Sequence, residues 1–359
     1  MKANYYSPYK AAHHPQIIQQ IRAGQPTVPT NIQVDLEAYC PHSCEFCSYR
    51  NVNWQDYGMV FEEPPKPSDD THMIPSLALD IPRQMEQAGI PSIEITGGGE
   101  SLAFPLISQF LDECGKYERD IAIVTNGVLF KPALRQHVKR LKWIRFSMDA
   151  IRPDVYEAVH RTPAPVFNSV IRNIKDFVSE RAPDTVVGIS YVITPHNYHD
   201  VWQAAEFYKN EVGADSIRYT FTYEPTGTGR LNEIQRSVVL DAIADAKRDY
   251  EDSKFKVFGV NRIHEYSAPN DDFSFCGYQH FVWAIGYDGK VYPCCIMKYH
   301  PEFAMGDLTK ETLADIVATP ERMKMAYHLD VTKCKSCWLR DKNKFIESLI
   351  SEPAHVDFV

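Results

Sequence analysis

The sequence predicts an α/β fold: a parallel sheet curled into a full or partial barrel, followed by a smaller cysteine-bearing α+β region. Three observations lead there. From Asn31 onward, apolar runs of strand length alternate with segments of helical period, close to six times over. Cys40, Cys44 and Cys47 follow the first of those strands directly, and a glycine run, Thr96-Gly97-Gly98-Gly99-Glu100, follows the second. Another cysteine set, Cys276, Cys294, Cys334 and Cys337, begins only after the alternation has ended.

Residues 1–30 read as an N-terminal extension with a short helix over Gln16 to Arg22, broken by Pro26 and Pro29. Ile32 to Leu36 is the first strand. Residues 51–75, rich in Pro, Asp and Tyr, form a long loop beside it, and its Trp54, Tyr57 and Phe61 are expected either to cover the site or to anchor the loop. A helix at Ser76 to Ala88, a strand at Ser92 to Thr96 and a helix at Pro105 to Tyr117 come next. Strands at Ile121 to Thr125 and Trp143 to Met148 follow, flanked by helices at Lys131 to Arg140 and Val166 to Glu180. The last two strands of the series, Val186 to Ile193 and Ser216 to Phe221, bracket a helix at Tyr198 to Val212. Gly227 and Gly229 mark a boundary. Residues 226–269 are then a linker with a helix at Asn232 to Tyr250. Residues 270–340 carry short strands at Phe281 to Ile285 and Lys290 to Tyr292 and a helix near Glu311 to Ala318, and residues 341–359 are a tail. In a barrel of this kind the chemistry sits at the carboxyl ends of the strands, which places 31–225 as the catalytic part.

Composition narrows the function classes. With 38 basic against 47 acidic residues the net charge is −9, which disfavours nonspecific binding to nucleic-acid phosphates or anionic lipid. No run of about 18 apolar residues and no secretory pattern occurs, so the expectation is a cytosolic protein without a membrane partner. Eight of the nine cysteines fall at residues 40–47 and 276–337, a clustering that in such a compartment means metal or redox chemistry. Cys114, within an expected helix, reads as a buried thiol.

Three thiolates on one tight loop, spaced C-x3-C-x2-C, suit an iron–sulfur cubane with one iron left open for a ligand. The same cysteines with His42 as a fourth donor would suit zinc. The glycine run lets backbone approach a ligand closely, and Glu100 can hold an ammonium group. In the second set, C-x12-G-x4-C from Cys276 through Gly289 to Cys294 is followed by Cys334-Lys-Ser-Cys337. On donor chemistry alone four thiolates fit either zinc, the commoner case, or an iron–sulfur cluster. Cys295, beside Cys294, is a spare thiol or an alternative ligand, with Cys294 favoured by spacing.

Together these motifs resemble the radical S-adenosylmethionine (SAM) superfamily. The cysteine loop with Phe46 before Cys47 matches that family's C-x3-C-x-aromatic-C loop, and Gly98, Gly99 and Glu100 match its Gly-Gly-Glu motif, with Ser101 where a proline is usual. The second set, with the Met305-Gly306-Asp307-Leu308 turn, resembles the twitch form of the SPASM auxiliary-cluster domain. The resemblance covers roughly 31–225 and 270–340. It implies a partial (βα)6 TIM-type barrel with a small C-terminal α+β twitch/SPASM-like domain. It implies a 4Fe–4S cluster on Cys40, Cys44 and Cys47 whose open iron SAM would chelate through its amine and carboxylate, with Glu100 near the SAM amine and Phe46 beside the adenine. Asn126 in Thr125-Asn126-Gly127 resembles the family's strand-three segment. Ser147 and Asp149 are the ribose candidates, and Ser190 and Arg218 are weaker candidates for ribose and carboxylate. A second 4Fe–4S cluster would sit on Cys276, Cys294, Cys334 and Cys337.

The activity so implied is reductive cleavage of SAM, with flavodoxin or ferredoxin as electron donor, to a 5′-deoxyadenosyl radical that takes hydrogen from a substrate. The first expectation for that substrate is a small molecule (a sugar, cyclitol or amino-acid derivative) that is oxidised or rearranged. The alternative is a peptide, or a nucleobase within a nucleic acid polymer. A noncatalytic metal-binding scaffold is the third class, disfavoured by the complete Gly-Gly-Glu motif.

Overall fold

The computed structural model describes residues 5–47, 49, 71–138, 141–222, 231–259, 272–334, 337 and 339–351. Most of the expected cover loop, with Trp54, Tyr57 and Phe61, and the Gly227/Gly229 boundary lie outside the described residues.

The predicted alternation forms one sheet. Strands β1 (Asn31–Asp35), β2 (Ser92–Thr96), β3 (Asp120–Thr125), β4 (Leu141–Ser147), β5 (Val186–Ile193) and β6 (Ser216–Phe221) pair in parallel in chain order. Each is buried on its outer face by alternate residues, as Ile144 and Phe146 show on β4. The other face, with Gln33, Glu94 and Arg145, looks inward.

The connecting helices bury apolar stripes at the helical period. Helix α2 (Pro75–Ala88) starts on a proline, buries Ala78, Ile81 and Met85, and stops at Gly89, whose φ of +74° is the left-handed cap that glycine accepts without strain. Helix α6 (Pro165–Glu180) buries Phe167, Val170, Ile171, Ile174 and Phe177. Full burial of such a side chain contributes about 1.5–3 kcal/mol, so this stripe is what holds α6 on the sheet.

Four features differ from the sequence expectation. The segment read as a linker contributes a seventh parallel strand, β7 (Lys256–Gly259), on β6. Four residues, with Val257 and Phe258 side by side between Lys256 and Gly259, leave no alternation long enough to recognise. The cysteine-rich C-terminal region does not form a separate sheet. Its β8 (Val282–Ile285) pairs in parallel with β1, and β9 (Lys290–Tyr292) and β10 (Gly306–Asp307) continue antiparallel, giving the order β10-β9-β8-β1-β2-β3-β4-β5-β6-β7. The tail folds as a helix, Arg340–Ile350, whose Ile346 packs with Ile17, Ile18 and Ile21 of the N-terminal helix Pro15–Arg22. The helix expected over Lys131 to Arg140 is one turn, Pro132–Arg135, tightening to a 3-10 turn over Gln136–Val138. Within the described residues no helix is long and apolar enough to cross a membrane.

Candidate active site

The carboxyl ends of β1 to β6 bring the first cysteine set and the glycine run together. The glycine turn hydrogen-bonds to the chain that leads into the cysteine loop: Gly99 N–H donates to Glu37 O (2.9 Å) and Glu100 N–H to Tyr39 O (2.7 Å). A Cβ on Gly99 would stand 2.2 Å from Tyr39 O and 2.4 Å from Ala38 C, so only glycine permits this approach. The loop itself is tied on its other side to helix α5 (Pro153–His160), through Ser43 N–H to His160 O and Glu45 N–H to Val159 O.

Cys40, Cys44 and Cys47 are each partly exposed. Asn126 Nδ2 donates to Cys40 Sγ over 3.6 Å. Cys44 Sγ lies 3.1 Å from His160 Nδ1, and His160 Nε2 lies 2.9 Å from Met148 O. A carbonyl only accepts, so Nε2 carries the ring proton and Nδ1 accepts from the Cys44 thiol. Burial raises the Cys44 pKa well above the ordinary thiol range, and Cys47, Asp149 and Cys40 add to the effect. Burial pushes His160 the other way, to about 4.

These donors permit a test of fit. Among the described residues, the one group of three metal-type donors within 4.8 Å of one another is His42, Cys44 and His160, and neither Cys40 nor Cys47 belongs to it. A single ion draws all its ligands to one centre. A cubane presents a different iron to each thiolate, so three sulfurs that are electrostatic neighbours without being clustered that tightly suit the cubane.

Glu100 is 2% exposed and fully engaged. Its Oε1 accepts from Thr125 Oγ1 (2.7 Å) and Leu102 N–H (3.1 Å), and its Oε2 accepts from Asn126 N–H (2.8 Å). Burial raises its pKa against these three bonds. Its geometry is that of a brace between the glycine turn and the end of β3. Glu100→Gln sets an amide donor against one of those three donors. We expect a loss of about 1–3 kcal/mol, read as a lower melting temperature of the apoprotein, with weaker SAM binding and unchanged iron content. An unaltered melting temperature would show that the brace carries no weight.

Ser147, Ser190 and Arg218 are register partners on β4, β5 and β6, forming one row across the inner face. The Arg218 guanidinium lies 4.7 Å over the Tyr6 ring, which the N-terminal extension brings in. Asp149 differs from the ribose contact expected of it. It is 0% exposed, its φ is +49°, and its Oδ1 accepts from Val192 N–H while Oδ2 stands 3.5 Å from His160 Nε2. It braces the turn after β4, and burial pushes its carboxyl up to about 8. Phe46 is half-buried, with its ring 6.5 Å from that of His160.

Cys276, Cys294, Cys334 and Cys337 line one cavity, walled by apolar side chains such as Phe273, Ile296, Met297 and Leu329. Asn343 Nδ2 points at Cys337 Sγ, 3.7 Å away. Burial raises the Cys276 thiol to about 12 and Cys294 and Cys334 further, so loading a metal there must displace protons. Cys295 is not part of that lining. Its charged neighbours are Lys298, Glu94 and Asp35, on the barrel side.

Comparison with known proteins agrees with this architecture. A sequence model described as the radical SAM superfamily matches residues 38–208, and one described as an iron–sulfur cluster-binding domain, SPASM, matches 276–338. The chain carries a radical SAM domain followed by a SPASM iron–sulfur domain. A radical SAM domain implies SAM and a 4Fe–4S cluster with cysteine ligands, and a SPASM domain implies an auxiliary cluster. Curated relatives include a probable GTP 3′,8-cyclase of Saccharolobus islandicus, 24% identical over 213 residues, covering 58% of this chain and 61% of that protein. The chain thus spans under two thirds of that relative's length. A probable GTP 3′,8-cyclase of Methanosarcina mazei is 23% identical over 329 residues, covering 85% of this chain and 86% of its own. Among solved structures, Streptococcus suis SuiB bound to its precursor peptide SuiA superimposes with a TM-score of 0.63 at 17% identity, over 95% of this chain and 77% of that one. The histidine-tagged protein anSMEcpe with bound AdoMet gives 0.59 at 14%, over 88% of each chain. At these identities the structural likeness is one of fold.

His160 and the partnership of Asp35 with Lys298 escape a reading of the sequence. His160 sits more than a hundred residues from Cys44 and carries no motif. An acidic residue closing the apolar strand at Asp35 is the one visible signal for the other pair.

Proposed function

We propose that this radical SAM enzyme oxidises or rearranges a small polar molecule bound inside the barrel. The observation that carries this reading is the charged inner layer of the sheet. Gln33 Nε2 donates to Glu94 Oε2 (3.0 Å), and Arg145 stands 3.9 Å from Glu94 Oε1 on the neighbouring inner face. Gln33 Oε1 and Arg145 Nε are buried without partners. An inner layer of amide, carboxylate and guanidinium groups, where apolar side chains would otherwise pack, suits a ligand with hydroxyl, amine or anionic groups. The M. mazei relative, named for a reaction of a nucleotide, supports a small-molecule substrate over 85% of this chain.

In this reading Cys40, Cys44 and Cys47 hold the cluster to which SAM binds, and SAM and that cluster supply the 5′-deoxyadenosyl radical chemistry. Gly99 lets the turn lie directly against the chain that enters the cysteine loop, while Glu100 braces it. Asn126 donates to the Cys40 sulfur and fixes its orientation. The Ser147–Ser190–Arg218 row faces the lumen as the polar wall for the ribose or the substrate. Cys276, Cys294, Cys334 and Cys337 hold the auxiliary cluster, and the donor of electrons is a flavodoxin or ferredoxin.

Anaerobically reconstituted protein should then carry about eight irons and eight sulfides per chain, two cubanes' worth. Four irons with one tightly bound zinc would remove the auxiliary cluster, and zinc alone would remove the whole assignment. To test the substrate class, 5′-deoxyadenosine formation is measured with the low-molecular-mass and the macromolecular fractions of a cell extract. Stimulation by the small-molecule fraction is expected. Stimulation by the macromolecular fraction alone would move the substrate to the peptide or nucleic-acid class.

A further inference from the structure

Where β1 ends and the chain turns toward Cys40, Asp35 is 0% exposed and forms an ion pair with Nζ of Lys298, which is itself 1% exposed. Tyr299 Oη donates to the same carboxylate oxygen over 2.8 Å. The Lys298 ammonium also lies 5.2 Å from the ring centre of Tyr49, two residues beyond Cys47. Lys298 follows Cys294 by four residues. A Cβ on Gly98 would meet Asp35 Oδ2 at 3.2 Å and Tyr299 Oη at 3.3 Å, so the group also packs on the glycine turn. One cluster of side chains thus touches the first cysteine loop, the Gly-Gly-Glu turn and the loop that carries Cys294.

As an adhesive this cluster is poorly chosen. A buried ion pair is often no better than apolar side chains of the same size, because both charges lose their water. Asp35 Oδ1 is buried with no hydrogen-bond partner, a further cost. Tyr299 is held at φ +68°, where a non-glycine residue is strained. Three unfavourable features at one junction point to something other than stability. A charge pair supplies what apolar packing does not: one bonded geometry in place of many nearly equal contacts.

We infer that Lys298 is a positioning residue: its ion pair with Asp35 holds the loop of Cys294 in one register against the loop of Cys40–Cys47, and so sets the separation of the two clusters. The inference rests on the reading that these two cysteine sets hold the clusters. With both clusters bound, electron exchange between them would then run over one fixed gap. Lys298 itself neither touches SAM nor ligates iron.

The experiment uses the full-length protein with both clusters reconstituted and reduced, and reads the magnetic interaction between them by EPR. The informative variant is the double change Asp35→Leu/Lys298→Met. Replacing both partners strands no charge and costs the Tyr299 hydroxyl one hydrogen bond, so its melting temperature should fall only slightly. Lys298→Arg, which keeps the charge, is the conservative control. The double variant is expected to keep its iron and its production of 5′-deoxyadenosine from SAM alone, yet lose the single resolved interaction seen in the unaltered protein, with Lys298→Arg restoring it. An unchanged interaction in a double variant that holds both clusters overturns the inference and leaves the cluster reading intact. Four irons in the unaltered protein overturn the cluster reading, and the inference falls with it. Loss of both clusters and a lower melting temperature in the double variant and in Lys298→Arg alike overturn positioning in favour of a staple.

Discussion

Replacing Cys40, Cys44 or Cys47 with alanine is expected to reduce reductive cleavage of SAM to background in all three variants. In a cubane held as proposed, each thiolate would bind its own iron, and three protein ligands would leave none to spare. The equality of the three effects is the informative part, because the geometry offers a competing site. His42, Cys44 and His160 present two nitrogens and a sulfur within 4.8 Å of one another, a donor set that suits zinc. Were that the metal site, Cys44→Ala would empty it while Cys40→Ala and Cys47→Ala would leave the metal bound. Anaerobic iron analysis together with chromatographic assay of 5′-deoxyadenosine separates the two cases. Normal 5′-deoxyadenosine formation by Cys44→Ala would move the cleaving cluster elsewhere.

How much of the molecule is legible in its sequence follows from which interactions are local. The strand–helix alternation and the two loops at the ends of β1 and β2 are written in consecutive residues, and so is the capping box of Asn232 and Gln235 that starts the helix Glu233–Tyr250. The row Ser147–Ser190–Arg218 is reachable because each residue lies on the inner face near the end of a parallel strand, and parallel register carries the rest. Cys294 lines the cavity and Cys295 does not, because the turn that Met297 N–H closes on Cys294 O sends the two neighbouring side chains to different sides. Other features depend on partners far along the chain. Asp149 reads in sequence as a ligand-facing strand-end acid, and its burial is decided by Val192 and His160. Glu100 reads as an open carboxylate until the fold brings Thr125 and Asn126 to it. Asp35 and Lys298 lie 263 residues apart, and no local pattern links them. The tail helix is visible in principle, because Phe345, Ile346, Leu349 and Ile350 repeat at helical spacing.

Cys334→Ala should keep SAM cleavage, perceptibly slower at most, and lose nearly all product. The cavity formed by Cys276, Cys294, Cys334 and Cys337 is walled by residues of the C-terminal region, and none of the glycine turn, Glu100 or the first cysteine loop lines it. Removing one thiol there therefore leaves the SAM side of the barrel untouched. On the proposed function a substrate radical would have to lose an electron or be held, and without the auxiliary cluster it would take its hydrogen back or be quenched. The variant's iron content should fall from about eight toward about four, while 5′-deoxyadenosine accumulates without matching product. The competing account makes the cluster a staple that the region needs in order to fold. Against it stands the apolar packing of Tyr278, Ile296, Phe303 and Leu339 around the cavity, and the pairing of β8 with β1 in the main sheet, neither of which depends on a metal. The staple account requires a lower melting temperature and loss of both activities, so calorimetry beside the product assay decides between the two. Cys295→Ala is the matching control: lying off the cavity beside Lys298, it should leave iron content and the auxiliary cluster's EPR signal unchanged. A Cys334→Ala protein of normal stability with full product formation would defeat both accounts.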